Sequence, residues 1–520
     1  MNPLFSALAA RAPDDIVIEE PGHSLTASQL LTKVAALRAA LIHAGIDRLG
    51  LLAGNSVAWV IADLACQSAG ICLLPLPVFF ADTQILHSLQ SAGIEAVLTD
   101  DTQRVINMAG VQLDGKVAGE KSVTADMSAV PGFTLVRLAG QSRPQLPVGT
   151  QKITFTSGST GAPRGVCLGV EQQLAVADAL NTALQLKAPR HLCLLPLSTL
   201  LENVGGVYYT LLAGGVVSVP PEADTGFSGS TGLDMLSMLQ VIFSYRPTSI
   251  ILLPQMLVGL VAALEEGWQP PADLKFAAVG GAKVVPEFII RARNLGLPVY
   301  EGYGLSESAS VACLNFPGDD VIGSVGRPLA HVSVSIDAGE IVLHGNSFLG
   351  YVGQPDTWNQ EWVATGDLGE RDASGFIHIH GRSKNLLISS FGRNISPEWV
   401  ESALLFCPEI EQCIVVGDDR PYCSALIAPA DPVIDDLHIQ RLLDAVNKTL
   451  PDYAQIQRWH RLPAKLTHAD GLFTENGRPR RADIAKRFAP AIASLYSQSS
   501  TAALAAAEIS ISEPARTASQ

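Results

Sequence analysis

The stretch Ile153–Val166, Ile-Thr-Phe-Thr-Ser-Gly-Ser-Thr-Gly-Ala-Pro-Arg-Gly-Val, constrains this chain more than any other. Apolar and β-branched residues open it and suit a strand. Thr156, Ser157, Gly158, Ser159, Thr160 and Gly161 then crowd hydroxyls and glycines together, and Pro163, Arg164 and Gly165 close the run. Such a sequence is a poor helix and a poor strand, but it suits a loop wrapped round an anion. Glycines let backbone N–H groups approach a phosphate, hydroxyls add donors, and Arg164 adds a permanent charge. A plain Ser/Thr/Gly linker is the competing reading; the placed Pro163 and Arg164 and the apolar runs on both sides weigh against it. An ordinary P-loop is excluded, because no Lys-Ser/Thr pair follows the second glycine to open a helix. Val166-Cys167-Leu168 reads as a second strand, so the loop lies between two strands.

A chain of 520 residues has room for one large and one small domain, and 48% hydrophobic against 16% charged residues implies a large buried core. A net charge of −15 argues against a nucleic-acid partner, which needs clustered Lys and Arg, and leaves nucleotides open. The eight cysteines form no Cys-x-x-Cys pair and lie mostly in apolar runs, as buried free thiols of a reducing compartment would. The first residues lack the basic start and apolar block of a signal peptide. The longest apolar run, Ile250–Leu264, is broken by Pro254 and Gln255 and is too short for a transmembrane segment. The expectation is a cytoplasmic protein.

Along the first hundred residues the apolar spacing predicts helices over Ala27–His43 and Val57–Ala69, with strands over Leu49–Leu52 and Ile71–Pro77. Alternation of this kind means α/β layers. The His43-x-x-x-Asp47 spacing occurs in some acyl transferases, but Gly45 marks it as a helix C-terminal cap. Beyond the loop, Glu171–Leu186 reads as a helix and Leu192–Leu197 as a strand. Gly205 and Gly206 remove side chains from the next apolar run, either for close helix packing or to leave room for a ligand. Phe276-Ala-Ala-Val279 runs into the bare turn Gly280-Gly281-Ala282, which suits a flat base lying against backbone. Val299–Glu307 is another strand with a polar exit, Gly302-Tyr303-Gly304-Leu305-Ser306-Glu307. Asp367 follows Ala364-Thr365-Gly366, either as a turn aspartate or as a bidentate acceptor. His378 and His380 share one strand face without a third ligand at sensible spacing, so a half-exposed strand is preferred to a metal site. Residues 401–490 read as a compact α+β unit, and past Ser497 the Ala/Ser-rich chain reads as a disordered tail.

Taken in order, five of these motifs closely resemble the adenylate-forming, AMP-binding superfamily of acyl-CoA synthetases, adenylation domains and luciferases. The wording around Leu200–Leu212 and Phe391–Glu401 looks most like bacterial long-chain fatty acid–CoA ligases. The resemblance covers roughly residues 10–488. It implies an α/β fold with a large N-terminal domain of stacked α/β layers (1–381), a small mobile α+β C-terminal domain (382–490) and a tail (491–520), with the site between the two domains. It further implies ATP and Mg²⁺, a small-molecule carboxylic acid, and CoA or a carrier-protein phosphopantetheine as thiol acceptor.

Residue by residue, it assigns Thr156–Gly161 and Arg164 to the pyrophosphate end of ATP. Gly280, Gly281, Ala282, Gly302, Tyr303, Gly304 and Ser306 go to the nucleotide, Asp367 to both ribose hydroxyls, and Arg382 to ribose or phosphate. Glu307 is the metal and catalytic carboxylate, and Lys384 is the hinge. Arg478 bridges the substrate carboxylate and α-phosphate, and Gly392 lets a pantetheine arm pass. Ser198, Thr199, Asn203 and Gly206 fall at the acyl pocket. The chain departs from the family pattern at Arg164 and Arg478, where lysine is usual, at Ser198-Thr199 for an aromatic–His pair, at Ser306 for threonine and at Asn385 for aspartate. Both arginines retain the charge. No Phe-Asp pattern that would hold an amino group is present, so a fatty or aryl acid is expected over an amino acid. An acid–CoA ligase, an acyl-AMP ligase loading a carrier protein, and a non-catalytic acyl- or nucleotide-binding relative remain as alternatives.

Overall fold

The computed structural model describes residues 2–109, 127–138, 142–156, 164–228, 232–391, 393–474 and 477–496. The chain divides into two compact units, residues 1–379 and 380–520.

Among the described residues, the first unit is built on two large sheets. The seven-stranded sheet runs, from one edge to the other, through Gly350–Tyr351, Arg164–Leu168, Lys152–Thr156, Cys72–Leu76, Arg48–Leu52, Ala96–Thr99 and Thr134–Arg137. Its centre is parallel, with Leu49 opposite Leu73 and Ala96, and Leu73 opposite Lys152. The strands on either side of the anion-type loop form an antiparallel hairpin, from Lys152 opposite Leu168 to Thr156 opposite Arg164. A nine-stranded sheet holds Ser249–Leu252, Phe276–Val279 and Val299–Leu305 as parallel neighbours. A smaller antiparallel sheet carries Val332–Asp337, Glu340–Gly345, Trp362–Arg371 and Ile377–Arg382.

Local chemistry sets the helix ends. Ala27–His43 starts on a reciprocal Thr26–Gln29 capping box and buries Leu30, Val34, Leu37 and Leu41. After it, Gly45 turns left-handed at φ +65°, and the Gly45 N–H bonds the Ile42 carbonyl. Val57–Ala69 starts on Ser56 and ends at Gly70, φ +71°. It is buried almost all round, so it lies within the core rather than over it.

Leu192–Leu197 departs from the expected strand. The strand is Arg190–Leu192, and the next residues are held by side chains. Glu202 accepts from Leu195 N at 2.9 Å, while Asn55 donates to Leu195 O and accepts from Leu197 N. These bonds replace a sheet ladder. The apolar run that follows is a π-helix over Asn203–Tyr208, set between Leu200–Glu202 and Tyr209–Leu212. The run Ile250–Leu264 splits at Pro254 into the strand Ser249–Leu252 and the helix Pro254–Glu265.

In the second unit, Ile410–Val416 pairs antiparallel with Cys423–Pro429, which pairs parallel with Ile456–Arg461. Helices Pro397–Leu405, Asp436–Asn447 and Arg481–Arg487 accompany this sheet. Arg481 donates to both Glu401 oxygens, at 2.8 and 2.6 Å, a bidentate pair tying the last of these helices to the first. No helix of the described residues is long and apolar enough to cross a membrane, and the eight cysteines are free thiols. The expected tail lies outside the described residues.

Candidate active site

The strand Val299–Leu305 carries Gly302, Tyr303 and Gly304 among the residues expected to meet a nucleotide. Its neighbour Phe276–Val279 ends at Gly280, where a Cβ would lie 3.0 Å from the Gly302 carbonyl oxygen. A side chain at that step would have to push this carbonyl aside by a few tenths of an ångström, so bare backbone suits it. Gly281 is left-handed at φ +86° and, with Ala282, exposed. Gly304 packs its α-carbon against the Ser310 carbonyl, which leaves no room for a side chain. Parallel strands that end together in glycine-rich turns form the usual crevice for a ligand in an α/β sheet.

Tyr303 and Asp367 come together from 64 residues apart. The Tyr303 hydroxyl donates to Asp367 Oδ2 at 2.7 Å. Asp367 is 5% exposed, and its N–H bonds Thr365 Oγ1, which in turn donates to the Ile341 carbonyl. Gly366, φ +72°, makes the turn and donates to Glu340 Oε1 at 2.7 Å. Burial, and next the Asp367 charge, push the Tyr303 phenol well above its ordinary range, so it stays a proton donor.

Glu307 and Arg164 meet through a third residue. Glu307 sits half-buried in the short turn Ser306–Ser308. The turn is followed by two non-glycine residues at positive φ, Ala309 (+61°) and Ser310 (+125°), strain of the kind found where a side chain is aimed for function. Glu307 Oε1 accepts from the Tyr351 hydroxyl at 2.8 Å, and the Arg164 guanidinium lies over the Tyr351 ring, 5.3 Å from its centre. Gly350-Tyr351 precedes the Asp367 motif in the sequence with no role assigned to it; Tyr351 is recruited by its strand pairing with Arg164–Leu168.

The 198–206 segment is more committed than its sequence implied. Ser198 and Thr199 are half-buried, with Thr199 Oγ1 on the Pro196 carbonyl. Asn203 is 1% exposed; its amide donates to Asp63 Oδ2 at 3.0 Å and accepts from Lys152 Nζ. Lys152 also pairs with Asp63 at 2.8 Å and donates to the Tyr208 hydroxyl, which donates to Asp63 at 2.6 Å. A Cβ on Gly206 would lie 2.5 Å from both Glu202 Oε1 and His191 Nε2. Asn203 and Gly206, expected at the acyl pocket, each have an internal polar cluster beside them: Asp63 and Lys152 at Asn203, Glu202 and His191 at Gly206. The lone carboxylate in the apolar helix Val57–Ala69 and the lone lysine beside Ile153 were the available signals for this network.

His191, Cys193 and Glu202 cluster closely enough for a metal. They already satisfy one another: His191 bonds Glu202 Oε1 at 2.6 Å and Ser249 Oγ at 3.0 Å, and Glu202 Oε2 takes Leu195 N. His378 contacts the Gly323 carbonyl and Asp372.

In the second unit Arg382 ends the strand Ile377–Arg382, and Lys384 lies in the turn Ser383–Asn385, where Asn385 donates to Glu398 Oε1 at 2.6 Å. Arg478 is exposed on a tight turn, its N–H on Thr474 Oγ1 and its carbonyl accepting from Thr474 N. Ser157, Gly158, Ser159, Thr160, Gly161 and Gly392 lie outside the described residues; of Thr156 only the backbone pairing is described.

A model of the AMP-binding enzyme family matches residues 5–352, and one of the AMP-binding enzyme C-terminal domain matches 384–500. The chain is 30% identical to a sulfoacetate–CoA ligase of Cupriavidus necator over 82% of its own length and 86% of that protein. It is 24% identical to the long-chain-fatty-acid–CoA ligase FadD15 of Mycobacterium bovis, covering 91% and 92% of the two chains. A feruloyl-CoA synthase of Amycolatopsis sp is 27% identical, over 81% and 87%. In fold it is similar to the anthranilate CoA ligase AuaEII solved with anthranoyl-AMP, at a TM-score of 0.76 and 17% identity over 94% of this chain and 97% of that one.

Proposed function

The chain belongs to the AMP-binding enzyme family, and from that membership we propose that it is an AMP-forming acid–thiol ligase acting on a fatty or aryl carboxylic acid. The observation that most supports this is the meeting of Glu307, Tyr351 and Arg164, one carboxylate and one cation held at the exit of the loop-bearing hairpin.

A carboxylate is a poor electrophile because its leaving group would be oxide. Attack by its oxygen on the α-phosphorus of ATP forms the acyl-adenylate and expels pyrophosphate; a thiol then attacks the acyl carbon and AMP leaves with both bonding electrons. The first step gathers negative oxygens and needs fixed positive charge. Arg164, with the 156–161 loop, holds the pyrophosphate end, and Arg478 the carboxylate and α-phosphate. Asp367 accepts from the ribose hydroxyls while Tyr303 and the Gly280–Ala282 turn flank the base. Glu307 suits Mg²⁺: it is a hard oxygen donor with one oxygen already oriented, and Mg²⁺ takes one or two carboxylates beside substrate phosphates. Mg²⁺ there would neutralise charge on the departing pyrophosphate. Arg382 serves ribose or phosphate, Lys384 is the hinge between half-reactions, Gly392 passes the thiol arm, and Ser198 and Thr199 face the acid. The free thiols are in keeping with a cytoplasmic setting.

The test is pyrophosphate release from ATP–Mg²⁺ across fatty, aryl and amino acids. It is run with CoA, with a phosphopantetheine-bearing carrier protein, or with neither, beside Arg478→Ala and Arg478→Lys. Acid-dependent release that Arg478→Ala abolishes is expected, with CoA as the productive acceptor. Turnover with the carrier alone would name the other thiol. ATP binding with no release from any acid would replace the ligase reading with a binding protein.

A further inference from the structure

Three stretches of chain converge on one phenol. Tyr351 belongs to the short strand Gly350–Tyr351, where Gly350 pairs with Cys167 and Tyr351 with Val166. The ladder continues on both sides through Leu349 N to Cys167 O and Val352 N to Gly165 O, each 2.9 Å. Tyr351 is therefore built onto the strand that leaves the anion-type loop. Its own position is tightly set. Its N–H bonds Thr357 Oγ1 at 3.0 Å, its carbonyl accepts from Trp358 Nε1 at 2.9 Å, and Phe348 packs edge-on to its ring at 4.8 Å. The same segment also holds the Glu307 backbone, through Phe348 N to Glu307 O at 2.7 Å.

The side chain of Tyr351 makes two different contacts from this rigid base. Its hydroxyl donates to one Glu307 oxygen at 2.8 Å. A single donor of this kind stops a carboxylate from rotating and leaves its other oxygen to take a cation. Its ring carries the Arg164 guanidinium. A cation held over an aromatic face is positioned while keeping its full charge.

We propose that Tyr351 is a positioning residue that fixes Glu307 and Arg164 as one preset pair for the metal-bearing pyrophosphate end of ATP. It acts through these two groups rather than on substrate. The proposal rests on the roles given above to Glu307 and Arg164, but not on the identity of the acid or the thiol.

The test uses the full chain with Mn²⁺ as a paramagnetic stand-in for Mg²⁺. Electron paramagnetic resonance follows Mn²⁺ retained in the ATP complex, and calorimetry measures metal-free AMP binding, for the wild type, Tyr351→Phe, Glu307→Ala and the double variant. Tyr351→Phe keeps the ring beneath Arg164 and removes the hydroxyl that holds Glu307 and also meets Arg164. It should weaken Mn²⁺ retention about tenfold, the scale of a hydrogen bond to a charged group, and leave AMP affinity within about twofold. In the Glu307→Ala background it should add nothing, because the acceptor is gone. Unchanged Mn²⁺ retention in Tyr351→Phe, additive losses in the double variant, or an equal loss of AMP affinity would each overturn the proposal. A wild type that holds Mn²⁺ with ATP yet releases no pyrophosphate would sink the ligase reading and leave the positioning role standing.

Discussion

Glu301 offers a quantitative handle on the ground beneath the nucleotide strand. It lies two residues before Tyr303 and is 4% exposed; Val284 N reaches its Oε1 at 3.4 Å, and Lys283, whose ammonium bonds the Ile379 carbonyl at 2.9 Å, is the charge that acts on it. Burial outweighs these and pushes its carboxyl from 4.5 up to about 8. Between those two pH values the folded chain holds a proton that the unfolded chain has lost. Stability is therefore fully present below about pH 4.5 and is lost as pH rises through about 8. The whole window of about 3.5 pH units corresponds to roughly 5 kcal/mol, and the part from pH 6 to pH 8 to about 2 kcal/mol. A unit of 379 residues has an unfolding entropy of roughly 0.8 kcal/mol/K, so 2 kcal/mol is about 3 °C in Tm. Glu301→Gln keeps the shape and cannot ionise. Thermal melts of both proteins at pH 6, 7 and 8 should show the wild type losing about 3 °C more than the variant over that range. Parallel pH profiles would refute the argument, since every other titrating group is common to the two proteins.

Other perturbations are read from the same buried chemistry. Lys152→Met leaves Asp63 buried with only Tyr208 and Asn203 as partners, so urea unfolding should show a loss of about 3–5 kcal/mol. Adding Asp63→Asn should recover much of it, and equal losses in single and double variants would contradict the pairing. Gly206→Ala drives a methyl against Glu202 and His191 and should cost about 1–3 kcal/mol. Gly205→Ala meets nothing nearer than Ile251 Cδ1 at 3.5 Å and should melt close to the wild type. Asp367→Asn should weaken AMP binding about tenfold by calorimetry, the loss of one charged acceptor; unchanged affinity would remove Asp367 from the ribose role.

Much of this was legible in one dimension. The helices Ala27–His43 and Val57–Ala69 run between the residues their patterns mark, because Thr26, Ser56 and Gly70 act within one turn of themselves. The hairpin around 157–163 followed from apolar strands on both sides of a run that suits neither helix nor sheet. Where the reading slipped, a distant side chain had intervened. Cys193–Leu197 has the composition of a strand, yet Glu202 and Asn55 take the backbone groups of Leu195 and Leu197. For Gly206 the sequence left close packing and ligand room open, and a Cβ there would lie 2.5 Å from Glu202 Oε1 and His191 Nε2.

The sequence by itself determined the family, the α/β class and the chemical types at the candidate site, since each motif states a local backbone shape and a local functional group. Only the tertiary structure decided which of those groups became partners. Tyr303 meets Asp367 across 64 residues, Tyr351 meets Glu307 across 44, and Lys152 meets Asn203 across 51. Contacts of that span depend on strand register and on which face of a helix turns inward. Both are settled by the burial of the whole core, and no local stretch encodes them.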